Sequence, residues 1–217
     1  MREVRIPVAG AEVSASVHGE GRTAVVLGHG AGGDRRARLL VSFAESLAAG
    51  GRQVVLYNFP YSERRRRVPD RPDVLEATTR AVGEHARAEL GAHRVVHGGK
   101  SMGGRIASQV VAQGAPADAL VFLGYPLHPP GRIETRRDGH LPSVLCPMLF
   151  VQGTRDAFAR RDLLEDLVGR LGGKATLHTV EGGDHSFGVP RGAGRTKVEV
   201  EDDIRRAVAG WLEGRGL

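Results

Sequence analysis

The chain has 217 residues, 41% hydrophobic and 26% charged, with one cysteine, Cys146. This usage fits a folded protein, excludes an intrachain disulfide framework and leaves no apolar run of the ~20 residues that a membrane span requires. Lys+Arg total 31 against 25 Asp+Glu, a formal charge of +6, but only 5% of residues are aromatic, too few for a base-stacking surface, so nucleic acid is not an expected partner.

Val13 to Val17 alternates apolar and small polar residues, as a half-exposed strand does. Thr23 to Leu27 is a short apolar run ending at Gly28 and predicts a buried strand. Arg35 to Ala49 places Leu39, Leu40, Phe43 and Leu47 at helical spacing, with Asp34 as the expected N-cap and Gly50 as the stop. Gln53 to Tyr57 predicts the next strand, and Pro60 to Pro72 a basic, proline-bearing loop. A long helix is expected over Pro72 to Leu90, a strand over Arg94 to His97, a helix over Met102 to Gln113 and a strand over Leu120 to Leu123. Residues 126–142 are proline-rich and aperiodic, so they predict a loop. Met148 to Val151 (strand), Asp162 to Leu171 (helix), Ala175 to Val180 (strand) and Val198 to Leu212 (helix) complete the series.

Repeated strand–helix units imply one α/β domain over residues 1–217, a mostly parallel twisted sheet flanked by helices. The two N-terminal strands have no helix between them, so an antiparallel edge is expected there. Met1 to Gly10 lacks the apolar core of a signal peptide. With a single cysteine, the expected compartment is cytoplasmic.

Three glycine-rich turns compete for a function. Gly28-His29-Gly30-Ala31-Gly32-Gly33 matches a dinucleotide fingerprint, but the next strand ends Tyr57-Asn58-Phe59-Pro60, without the acidic residue that would hold a ribose. Gly98-Gly99-Lys100-Ser101 resembles the end of a phosphate-binding loop, but the opening glycine would have to stand at Arg94. Gly99-Lys100-Ser101-Met102-Gly103 is G-x-S-x-G between a predicted strand and a predicted helix, the tight turn that presents a strained nucleophilic serine.

The serine reading requires an acid and then a histidine further along. Asp156 follows the strand Met148 to Val151, and His185 follows the last strand. Ser101, Asp156 and His185 thus all fall at carboxyl ends of strands, where open α/β sheets carry their sites. Asp184, beside His185, is a rival acid. A neighbour on the same turn projects away from the imidazole, so Asp156 is preferred. The turn after Gly28 then gains a role as well: the amide of Ala31, with that of Met102 just after the serine, would form an oxyanion hole. This reading explains two glycine turns where each rival explains one.

The strings Gly28-His29-Gly30-Ala31-Gly32, Gly98-Gly99-Lys100-Ser101-Met102-Gly103-Gly104-Arg105 and Gly153-Thr154-Arg155-Asp156 resemble those of the α/β-hydrolase superfamily. The chain is similar to its small, dienelactone-hydrolase-like bacterial members, whose animal relatives include a chromatin-complex subunit. The resemblance covers nearly the whole chain and implies hydrolase chemistry, though no substrate. True dienelactone hydrolases use a cysteine where this chain has Ser101.

The expectation is a serine hydrolase acting on a small acyl substrate, a carboxylic ester or thioester, without cofactor or metal. The alternative is a non-catalytic interaction protein on the same fold. Between Leu123 and Met148 there is room for no more than a minimal cap. Glu63-Arg64-Arg65-Arg66-Arg67 reads either as a solvated face or as a basic rim for an anionic substrate. His93 and His97 are four apart, but on a strand they stand ~13 Å from one another and cannot share a metal. Cys146 is expected to begin a strand as buried packing, and His29 to brace the oxyanion turn. His128 and His140 have no assigned partner.

Overall fold

A computed structural model describes residues 1–8 and 10–217. Eight strands, β1 (Arg2–Val8), β2 (Ala11–His18), β3 (Thr23–Gly28), β4 (Gln53–Tyr57), β5 (Arg94–Lys100), β6 (Ala119–Leu123), β7 (Met148–Gly153) and β8 (Ala175–Val180), form one sheet in the order β1-β2-β4-β3-β5-β6-β7-β8. Every pairing from β4 to β8 is parallel, while β1–β2 and β2–β4 are antiparallel. The helices are α1 (Arg38–Ala49), α2 (Pro60–Glu63), α3 (Pro72–Ala88), α4 (Met102–Ala112), α5 (Arg161–Leu171) and α6 (Lys197–Glu213).

The strand sequences explain the layering. β4, β6 and β7 are buried along their whole length, as strands covered on both faces must be. Alternate residues serve opposite layers: Val25, Leu27, Val54 and Leu56 pack with Phe43, Leu47, Ile204 and Trp211 of α1 and α6. Val26, Val55 and Tyr57 pack with Leu75, Val82 and Ile106 of α3 and α4, and Phe122 and Phe150 meet Leu164 and Leu167 of α5.

Three expectations are corrected. The antiparallel edge consists of β1 and β2, with β2 on β4, while β3 lies inside the parallel part between β4 and β5. A strand as continuously apolar as β3 has no solvent face to offer an edge. Asp34 is not the N-cap of α1. Its Oδ1 accepts from the amide of Arg36 at 2.7 Å and closes a turn of its own, so the helix starts later, with Ala37 in the cap position. Within the predicted loop after β4, Pro60 opens the short helix α2, where its missing N–H costs nothing.

β3 feeds β4 on one side while β5 returns on its other side. That reversal opens a crevice at the carboxyl ends of β3 and β5. The connection from β6 to β7 carries one 3-10 turn, Leu141–Ser143, among the described residues, so no helical lid lies over this edge. No helix among the described residues is long and apolar enough to cross a membrane.

Candidate active site

Gly28 and Gly99 lie side by side in the β3–β5 register. The N-terminus of α4 presses on them: a Cβ at Gly103 would sit 2.2 Å from the Gly28 carbonyl oxygen, and one at Gly99 (φ +148) equally close to it. Only glycines permit this approach. Between them Ser101 adopts φ +51, ψ −113, an unfavourable region for a residue with a Cβ. Its amide donates to Leu123 O at 3.1 Å and its carbonyl accepts from the Arg105 amide at 3.1 Å, so both neighbouring elements hold it there.

His185 joins the other two predicted residues. Its Nδ1 is 2.7 Å from Asp156 Oδ2 and its Nε2 is 2.8 Å from Ser101 Oγ. A carboxylate oxygen can only accept, so Nδ1 carries the ring proton and Nε2 accepts from the serine hydroxyl. The Asp156 side chain is fully buried. Its Oδ1 accepts from the Phe158 amide at 2.8 Å, and its Oδ2 also accepts from Gln152 Nε2 at 2.5 Å. Gln152 is fixed in turn by accepting from the Tyr125 amide at 2.8 Å. Gln152 was not anticipated from the sequence; its one signal is a polar side chain on the otherwise apolar strand β7. The Phe158 ring lies 4.3 Å from the imidazole, centroid to centroid.

Asp184 has a different task. Its Oδ1 accepts from the amides of Ser186 and Gly188, both at 2.8 Å, and so shapes the loop that carries His185.

Ala31 and Met102 line the same crevice as Ser101, and among the described residues neither amide has an acceptor. The turn bearing Ala31 is braced by His29. The Phe59 amide donates to His29 Nε2 at 3.2 Å, which puts the proton on Nδ1, and Nδ1 donates to Gly30 O at 2.9 Å. Burial holds the His29 pKa down, so the ring stays neutral.

Ala31, Ser101, Met102, Phe158 and His185 line a cavity of about 570 Å³. Lys100, Arg105 and Arg137 also line it, and none was singled out from the sequence as a binding residue. The Lys100 ammonium is buried without a hydrogen-bond partner among the described residues, and that burial lowers its pKa to about 8, against the opposing pull of Asp156 and Asp184.

Other sequence candidates lie elsewhere. Arg64 to Arg67 are all exposed, none lines the cavity, and Arg64 pairs with Asp70 at 2.5 Å. Cys146 precedes β7 rather than opening it and is only half-buried. Burial still pushes its thiol up to about 11, which leaves it unreactive. His93 is beside Arg22 at the surface, and His97 is buried against Gly83 of α3. His128 donates from Nδ1 to Pro129 O and accepts the Arg160 amide at Nε2, both at 2.9 Å. His140 Nε2 lies 2.7 Å from Ser108 Oγ.

Several solved structures share the architecture. A dienelactone hydrolase of Anabaena variabilis is 19% identical, with 98% of this chain and 97% of that one covered, at a TM-score of 0.78. A serine hydrolase without lid from Xanthomonas campestris is 20% identical over 98% and 93%, TM-score 0.75. Est1E of Butyrivibrio proteoclasticus, in its ferulic-acid-bound form, is 14% identical over 98% of each chain, TM-score 0.78. The alpha/beta hydrolase domain family matches residues 21–213, which hold β3 to β8 and all six helices, and the chain belongs to that family.

Proposed function

We propose that this chain is a serine hydrolase that cleaves a carboxylic ester or thioester through an acyl-enzyme intermediate. The observation that carries the reading is the bridge of His185 between Ser101 at 2.8 Å and Asp156 at 2.7 Å.

In this reading Ser101 Oγ attacks the acyl carbonyl while His185 Nε2 takes its proton. Asp156 keeps the other ring nitrogen protonated and stabilises the imidazolium that forms. The carbonyl oxygen becomes negative as the tetrahedral intermediate forms, and the amides of Ala31 and Met102 donate to it. Fixed donors of this kind lower the barrier because they need no reorganisation during the reaction. The imidazolium then protonates the leaving alcohol or thiol. Water, deprotonated by His185, releases the acid and restores the serine. Every step uses groups of this chain, and the open cavity admits a small acyl substrate.

The test is fluorophosphonate labelling together with hydrolysis of p-nitrophenyl esters of increasing acyl length. The wild-type chain should label and turn over the shorter esters, and Ser101→Ala should do neither while keeping its fold. A wild-type chain inert to both reagents would point to the non-catalytic alternative; labelling of Ser101→Ala would move the nucleophile elsewhere.

A further inference from the structure

The cavity in front of Ser101 holds more positive charge than the proposed chemistry uses. Arg105 stands one turn after Ser101 on α4, and Arg137 enters from the β6–β7 connection. Neither guanidinium forms an ion pair within 4 Å among the described residues. The Arg105 side chain reaches only a neutral acceptor, Gln109 Oε1, at 3.1 Å. Of the acids nearby, Asp138 is engaged by Arg136 at 2.6 Å and Arg170 at 3.7 Å and Asp70 by Arg64, while Glu76 accepts from Gln113 Nε2 at 3.0 Å and lies beyond 4 Å from either guanidinium. Arg137 is nonetheless held firmly, since its amide donates to Leu127 O at 2.9 Å and its carbonyl accepts from Tyr125 Oη at 2.8 Å.

Two half-buried guanidinium groups facing one cavity repel each other and are poorly solvated. Burial, and then the charge of Arg137, both depress the Arg105 pKa, although Tyr125 and Glu76 act the other way. A fold that keeps such a pair beside its reactive serine gains most when an anion enters. The planar fork of arginine matches a carboxylate with two parallel hydrogen bonds. Lys100 adds a third positive charge to the same walls, and Asp70 is the one carboxylate among the cavity-lining residues described.

We propose that Arg105 and Arg137 form a carboxylate-binding subsite, so that the preferred substrate is a small ester carrying a free carboxylate. The proposal rests on the serine-hydrolase reading for the reaction but not for the binding. It also moves anion recognition from the exposed Arg64 to Arg67 run to two arginines to which the sequence alone gives no role.

The test measures proton release from two pairs of esters. Monoethyl glutarate against ethyl pentanoate puts the charge on the acyl side; 4-carboxyphenyl butyrate against 4-methylphenyl butyrate puts it on the alcohol side. Binding of glutarate is followed separately by calorimetry. In at least one pair, kcat/KM should favour the charged ester by about tenfold or more, a preference that weakens with added salt. Arg137→Gln and Arg105→Gln should each lower the charged rate by about ten- to a hundredfold and lower the ratio of charged to neutral kcat/KM by about tenfold or more. Arg105→Lys, which keeps charge and loses the fork, should recover only part of the preference. Wild-type chain that shows no preference in either pair and no glutarate binding would overturn the subsite, as would equal losses on charged and neutral esters in folded variants. Arginine-dependent glutarate binding without ester turnover or fluorophosphonate labelling would support the subsite and overturn the serine-hydrolase reading.

Discussion

Two serine–histidine pairs lie on or beside α4, and they point in opposite chemical directions. Ser101 and His185 are 2.8 Å apart; Ser108 and His140 are 2.7 Å apart. In the first pair, Asp156 fixes the ring proton on Nδ1, and the hydroxyl donates to the imidazole. In the second, Ser108 Oγ donates to the Arg105 carbonyl at 2.7 Å, so its lone pairs are left to accept and His140 Nε2 must donate. A histidine that donates to a serine cannot take its proton. Ser108 also sits within a regular helix and is fully buried. A short Ser–His distance is therefore not a nucleophile. What differs is the acid behind the ring, the strained backbone under the serine and the open amides in front of it.

Substitutions at the ends of this comparison should differ most. Ser101→Ala is expected to remove ester hydrolysis by about five to six orders of magnitude, the scale of nucleophile loss in such triads. Asp156→Asn should lower kcat by about three to four orders, because an amide in place of the carboxylate no longer fixes the ring proton on Nδ1. Asp184→Asn should cost about tenfold or less, the value of a lost loop hydrogen bond. Steady-state kinetics of the two asparagine variants separates the acids. If Asp184→Asn were the inactive one, the acid assignment would be wrong.

Lys100→Met sharpens the comparison through pH. The effect is on stability, because the Lys100 ammonium is buried without a hydrogen-bond partner among the described residues. The Lys100 pKa is about 8 in the fold and 10.5 in the unfolded chain, so between those values the unfolded state binds more protons and wild-type stability rises with pH. Lys100→Met should therefore be the more stable protein at pH 7, with an advantage that shrinks as pH climbs from 8 towards 10.5. Denaturant melts at pH 7 and 10 decide this. An advantage that grew with pH would mean the lysine is not buried as a cation.

The smallest effect belongs to the second pair. Ser108→Ala should leave ester turnover within about twofold and cost about 1 kcal/mol of stability by removing a helix-side hydrogen bond. A large fall in turnover with unchanged stability would break the distinction between the pairs.

What the sequence made legible follows from how local each signal is. G-x-S-x-G works through contacts within five residues, so Ser101 and its strand–turn–helix setting could be read directly. Asp156 and His185 were readable because each ends a clearly apolar strand. β1 was not read as a strand. Only Ile6 and Val8 of its seven residues are buried, and Arg2, Glu3 and Arg5 put charge on the rest of an edge strand. The partner of β2 is a long-range choice, made by which strand still has an open edge. Arg105 closes the glycine-rich string around Ser101 without a role being legible there, and Arg137 carries no local mark: in a chain this rich in arginine, only the cavity distinguishes them from the exposed Arg64 to Arg67.

The contact of Gly28 with Gly99 and Gly103 has a consequence for how this protein can change. Gly28 occupies the space that a side chain on Gly99 or on Gly103 would need. No replacement at Gly99 or Gly103 can be accommodated by a second one nearby, since the obstructing atoms are the backbone of Gly28. In a mutational library the corner should be invariant, while the far wall of the cavity, around Arg105 and Arg137, should tolerate variation. Divergent copies of this chain would then keep one reaction geometry and differ in what they accept, and selection for new substrates should be aimed at that wall alone.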